Sequence, residues 1–229
     1  MYNLSVTVMS LRLNRSNAKT LQGDSQNDMT LSENSSEPHN PDTGKHYVAE
    51  ADLLEDAYRL GVNVFNSGFS PTFILGLWRG GSSVGIAVQE CLQYLGVETD
   101  HVAIRTSYRG AGHYQQMVEN PASEIRVHGT QYLLETLNAE DRLLIVDDVM
   151  SSGLNINAVI ERLSQRLKRN MPEDVRVAAT WWKPERMKIT RPPDYFVNQT
   201  DQWLVMPYEV SGLSRQELLT HKPFLSDWL

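Results

Sequence analysis

The chain has 229 residues, 41% of them hydrophobic, a formal net charge of −7 and one cysteine, Cys91. This is enough apolar material for one core. The acidic balance argues against a general nucleic-acid partner, and a lone cysteine excludes an internal disulfide. No run reaches the roughly 20 apolar residues that span a bilayer, so the expected setting is a reducing cytoplasm with no membrane partner.

Residues 20 to 45 are rich in Ser, Asn, Asp and Pro and poor in aromatics. Such a stretch buries too little apolar surface to offset its ordering entropy. The expectation is a disordered tail over 1–45 and one folded domain over 46–229. Arg12, Arg15 and Lys19, with no acid before Asp24, resemble an organelle transit peptide in composition, an alternative to a cytoplasmic address.

Ala49 to Phe65 predicts a helix with Leu53, Ala57, Leu60 and Val64 on one face. Phe73 to Leu77 is a short continuous apolar run, as in a buried parallel strand. Ser82 or Ser83 is placed to cap the next helix, whose buried stripe is Val84, Val88, Cys91, Leu92 and Leu95, and Gly96 ends it. Asp100 to Ser107 predicts a second strand. Residues 108 to 129 are polar, lack a period and predict a long functional loop. Leu143 to Val146 is the clearest buried strand, followed by Asp147, Asp148 and a small-residue turn. A helix over Leu154 to Lys168 faces inward with Ile156, Val159, Ile160, Leu163 and Leu167. Val175 to Trp182, Tyr195 to Val197 and Trp203 to Met206 complete the strands. Strands alternating with helices predict an α/β fold: a doubly wound, mostly parallel sheet with helices on both faces. Its site belongs at the carboxyl ends of the strands.

Two turns at those ends carry chemistry. After Val146 come Asp147, Asp148, then Ser151, Ser152, Gly153, Leu154 and Asn155. Free amides and the dipole at a helix start suit a phosphate. Ser151, Ser152 and Asn155 can add side-chain donors, and Gly153 permits close backbone approach. Carboxylates accept hydrogen bonds from a diol. Phosphate and diol together describe a ribose 5-phosphate, against the plainer reading of a strand-to-helix turn with Asp caps. The second turn is Arg79-Gly80-Gly81, where an arginine can meet anionic oxygens and two glycines admit a ligand. No Lys-Ser or Lys-Thr pair closes a nucleotide P-loop, and no metal-ligand spacing appears among the six histidines and Cys91.

Residues 143–155 resemble the PRPP-binding motif of type I phosphoribosyltransferases, in which an apolar strand leads to two acids and a loop ending Thr-Gly-x-Thr (PRPP is phosphoribosyl pyrophosphate). The resemblance runs from about His46 to Glu209 and is nearest the xanthine-guanine and hypoxanthine-guanine enzymes. It implies transfer of ribose 5-phosphate from PRPP to a nucleobase, a 6-oxopurine first, with release of pyrophosphate and with Mg2+ as cofactor. By resemblance Asp147 and Asp148 bind the ribose hydroxyls, Ser151 to Asn155 the 5-phosphate, and Arg79, Gly80 and Gly81 the pyrophosphate. Asp148 and Glu209 lie near magnesium. Lys183 contacts the purine 6-oxo group, Trp203 stacks on the ring, and Leu204 offers backbone contacts. Ser107 and Tyr108 open a flexible loop that closes over PRPP. Similar enzymes associate as dimers or tetramers. Taken alone, Trp203 reads as core and Lys183 as surface.

The chain departs from that pattern at one catalytic position: Ser151 stands where the oxopurine enzymes carry an Asp facing the base. Asp147, Asp148 and Ser151 are therefore the catalytic candidates, without the usual carboxylate base. Two alternatives follow: a non-catalytic PRPP- or nucleotide-binding regulator, or an interaction protein that kept the fold without the site.

Overall fold

The computed structural model describes residues 44–108 and 125–228. The predicted tail falls almost wholly outside these residues, as does the body of the predicted loop.

Leu143 to Val146 is apolar at every position because the strand is covered on both faces. This strand, β5 (Arg142–Met150), runs through the two acids and four residues past Val146, longer than expected. It lies inside a six-stranded sheet with β2 (Phe73–Trp78), β3 (Asp100–Tyr108), β4 (Ile125–His128), β6 (Asp174–Trp182) and β7 (Tyr195–Gln199), in the order β4-β3-β2-β5-β6-β7. All neighbours are parallel except β3 and β4. The antiparallel β4 and the short helix α3 (Gln131–Thr136) occupy sequence read as loop or left unassigned. Ser107 and Tyr108 finish β3, in register with Arg126 and Ile125, and the loop they are expected to open lies outside the described residues.

Helices α1 (Glu50–Asn66) and α2 (Gly80–Tyr94) cover one face of the sheet. Leu53, Leu60, Val84 and Val88 there meet Ile74, Leu144 and Val146. On the other face α3 and α4 (Leu154–Leu167) bring Leu133, Ile156, Val159 and Leu163 onto Leu75, Leu143 and Ile145. Alternate residues of β5 thus serve opposite cores. Gly61 lets α1 and α2 approach, since a Cβ there would stand 2.9 Å from Cβ of Cys91. Leu95, expected in the α2 stripe, is only half-buried because the helix ends at Tyr94.

A second, two-stranded parallel sheet pairs β1 (Lys45–Tyr47) with β8 (Trp203–Val205). The short helix α5 (Arg215–His221) is tied to it by Glu217, which accepts from Lys45 Nζ at 2.6 Å and Tyr47 Oη at 2.8 Å and closes a capping box with Ser214. Lys45 first, then these donors, hold the Glu217 carboxyl down at about 2, against an ordinary 4.5. A depressed acid stabilises the fold above its unfolded value and loses that contribution as pH falls through the folded one. Glu217→Gln is therefore expected to melt below the wild type at about pH 6, with the gap narrowing towards about pH 3, measured by thermal unfolding across pH.

Candidate active site

The sheet order places a topological switch between β2 and β5: the chain moves from β2 outward to β3, then returns to the other side of β2. The β2–β5 ladder ends at Gly76 with Val146, whereas β5 stays paired to β6 through Met150 with Trp182. The carboxyl ends of β2 and β5 therefore part, and the two turns singled out in the sequence flank the opening.

Asp147 and Asp148 lie on the stretch of β5 beyond the fork, both half-buried. Thr180 Oγ1 donates to the Asp148 carbonyl at 2.7 Å and anchors the backbone. Asp147 Oδ1 accepts from the Asp148 amide at 3.0 Å. Burial, then the charge of Asp148 and a side-chain hydrogen bond with it, push the Asp147 carboxyl well above the usual range. The Asp148 carboxylate accepts from the Tyr208 hydroxyl. Burial and the same carboxylate push the Tyr208 phenol far up, so it stays protonated and donates.

Helix α2 begins at Gly80, with Arg79 at its N-cap and no side-chain cap. Neither Ser82 nor Ser83 caps it. Ser83 Oγ instead donates to the Gly80 carbonyl at 2.9 Å, and Ser82 Oγ is buried with no partner among the described residues. The early start is possible because glycines face the acids. A Cβ on Gly80 would fall on the Asp148 carboxylate and the Tyr208 hydroxyl, and one on Gly81 within 2.9 Å of Cα of Asp147. Arg79 follows a cis Trp78–Arg79 peptide bond. Its Nη2 meets Glu209 Oε1 at 2.9 Å, and its guanidinium lies 5.6 Å from the Tyr208 ring centre.

The third wall is the turn into α4. Gly153 is its N-cap at φ 74°, a left-handed conformation natural to glycine, and the cap carries no side-chain hydrogen bond. A Cβ there would lie 2.6 Å from Ile189. Ser151 is half-buried. Ser152 turns inward: its hydroxyl accepts from the Leu154 amide at 3.3 Å and its carbonyl from the Lys188 amide at 3.0 Å. Its hydroxyl accepts within the turn and keeps its own proton free to donate. Asn155 Oδ1 is buried with no partner among the described residues.

Lys183 follows β6 beside this turn, its amide donating to the Met150 carbonyl at 3.0 Å. Its ammonium donates to the Gln202 carbonyl at 2.5 Å, and burial lowers its pKa. Trp203 is 52% exposed, so it is not core, and Lys45 Nζ stands 6.0 Å from its ring centre. Leu204 is buried and joins β8 to the α1–α2 core.

A family model described as the phosphoribosyl transferase domain matches residues 46–212. The chain belongs to that family. The phosphoribosyl transferase fold recurs in solved structures. One is a purine phosphoribosyltransferase from Pyrococcus horikoshii, 23% identical over 75% of this chain and 99% of that one, with a TM-score of 0.54. Another is the Helicobacter pylori xanthine-guanine-hypoxanthine phosphoribosyltransferase, 17% identical over 77% and 99%, TM-score 0.53. A third is a hypothetical protein from Neisseria gonorrhoeae with bound ppGpp, 17% identical over 73% and 90%, TM-score 0.58. At these identities the likeness concerns the fold. No curated protein matches the chain.

Among the described residues, no three His, Cys, Asp or Glu side chains gather to hold a metal, and no helix is long and apolar enough to cross a membrane. Asp148 and Glu209 provide two carboxylates joined through the Tyr208–Glu209 segment. That donor set suits a magnesium ion that arrives with substrate phosphates and keeps most of its shell from them and water. Sequence reasoning passed over Tyr208, Thr180 and Lys222. The Pro207-Tyr208-Glu209 pattern signalled the first; nothing local signalled the other two.

Proposed function

We propose that this phosphoribosyl transferase moves ribose 5-phosphate from PRPP to a nucleobase, with a 6-oxopurine (guanine, xanthine or hypoxanthine) as acceptor. The reading rests above all on one observation: paired carboxylates and a helix start whose N-cap is a bare glycine sit together at the β2–β5 fork. The amides of the α4 turn, with Ser151, Ser152, Gly153, Leu154 and Asn155, receive the 5-phosphate. Asp147 and Asp148 accept from the ribose hydroxyls. Arg79, at the start of α2, exchanges Glu209 for the diphosphate, and the first-turn amides of Gly80 and Gly81 can meet its oxygens. Asp148 and Glu209 would hold magnesium, which neutralises diphosphate charge when bound.

A base nitrogen attacks the anomeric carbon as the carbon–oxygen bond to diphosphate breaks, and the bonding pair leaves with the diphosphate. The protein contributes position and shielding. Half-exposed Trp203 offers a ring face to the purine, Lys183 donates to its 6-oxo oxygen, and the Leu204 backbone completes the edge. The ring proton leaves without a carboxylate at position 151.

The test is direct: guanine, hypoxanthine or xanthine with PRPP and magnesium should yield a nucleotide and pyrophosphate in equal amounts. No product from any nucleobase would overturn the proposal. Ser151 favours a second reading, binding of PRPP or a nucleotide without turnover, which calorimetry would reveal as tight association and no product. Ser151→Asp separates the two. Under the first reading it is expected to raise the rate with hypoxanthine by about a hundred-fold, the lower end of the range for general acid–base help, read as initial rates of pyrophosphate release. An unchanged rate would mean that position 151 does not face the base.

A further inference from the structure

The segment between β8 and α5 touches the site through two consecutive residues. Tyr208 donates its hydroxyl to the Asp148 carboxylate, and Glu209 pairs with Arg79 at 2.9 Å. Behind them, the ammonium of the buried Lys222 donates to the Pro207 carbonyl. Lys222 directly follows α5 and lies beyond the family match, which stops at residue 212. The Tyr208 ring packs on the α1–α2 core, so its hydroxyl is aimed by packing on one side and by the Lys222 anchor on the other.

Asp148 needs such a partner. It sits on β5 past the last β2 pairing, where no neighbouring β2 strand limits its side chain. An adjacent carboxylate repels it. Gly80 leaves no room for any atom between α2 and the Asp148–Tyr208 contact. A neutral phenol can hold a carboxylate in one rotamer while leaving its second oxygen to accept from a ligand.

We propose that Tyr208 is a positioning residue that presets Asp148 for the ribose hydroxyls of PRPP, and that Lys222, from the C-terminal extension, holds Tyr208 in place. This rests on the reading of the fork as the PRPP site.

Tyr208→Phe removes one oxygen and keeps the ring. It is expected to weaken magnesium-PRPP binding about ten-fold by calorimetry without base, with a matching rise in KM for PRPP and none in KM for the purine. Lys222→Met is expected to weaken PRPP binding about three- to ten-fold alone and to add little to Tyr208→Phe, because both act through one contact. Thermal unfolding identifies a variant that has lost its fold; for such a variant, Lys222→Arg should restore PRPP binding. Equal PRPP affinity in wild type and Tyr208→Phe, an equal rise in KM for both substrates, or fully additive effects would overturn the positioning role while leaving the PRPP site intact. A wild type that binds no PRPP would instead sink the proposed function itself.

Discussion

Gly80→Ala is expected to reduce PRPP affinity by at least a hundred-fold while leaving a folded protein, measured by calorimetry beside thermal unfolding. The new methyl would occupy the space of the Asp148 carboxylate and the Tyr208 hydroxyl. The carboxylate is a side-chain end that can swing aside, and the packed Tyr208 ring has to give by a small shift, so the fold survives at about 1–3 kcal/mol, the usual overpacking cost. The binding constellation does not survive, because the displaced atoms are the ones proposed to receive the ribose and hold its acid in place. Gly81→Ala should behave oppositely. Its methyl meets the Val146 carbonyl and Cα of Asp147, which are backbone and cannot rotate away. The expected result is a loss of stability at the upper end of that range or beyond, with low soluble yield. If both variants lost only stability, the fork would be a packing seam and not a site.

Asp147→Asn and Asp148→Asn are expected to cost about ten- to a hundred-fold each in kcat/KM for PRPP, since hydrogen bonds to a charged group are worth about 1.5–3 kcal/mol. Their effects on stability should differ. Burial and the neighbouring charge raise the Asp147 pKa in the fold. An acid raised in the folded state binds its proton more tightly there, so its ionisation penalises the fold as pH climbs above the ordinary value of 3.8. Asp147→Asn removes that penalty. It should melt above the wild type at about pH 7, with the advantage fading towards about pH 4. A variant more stable and less active at neutral pH would mark Asp147 as a residue kept for function. A lower melting temperature at neutral pH would show that its hydrogen bond with the Asp148 amide outweighs the burial.

The central sheet was legible because a strand buried on both faces has no polar residues to disguise it, as at Leu143 to Val146. The amphipathic α1 and α4 were equally plain. β4 and α3 were missed because a four-residue edge strand and a six-residue helix are too short to establish a period. The cap of α2 was misplaced because serines are usual N-caps, whereas this helix starts where glycines let it sit against Asp147 and Asp148. Trp203 read as core by residue type, yet among the described residues β8 pairs only with β1, and its ring is left half-exposed. The C-terminal brace was invisible for a different reason. Lys45 and Glu217 are 172 residues apart, and no local pattern announces a contact of that separation.

The forked sheet also bears on how the molecule behaves when empty. Past Gly76 and Val146, the two halves of the sheet share no rungs, and each carries its own share of the crevice: Arg79 on one tine, the acids and the α4 turn on the other. A sugar diphosphate spanning both tines would act as the missing rungs. The enzyme would then be stiffest when loaded, with substrate serving as part of its own scaffold.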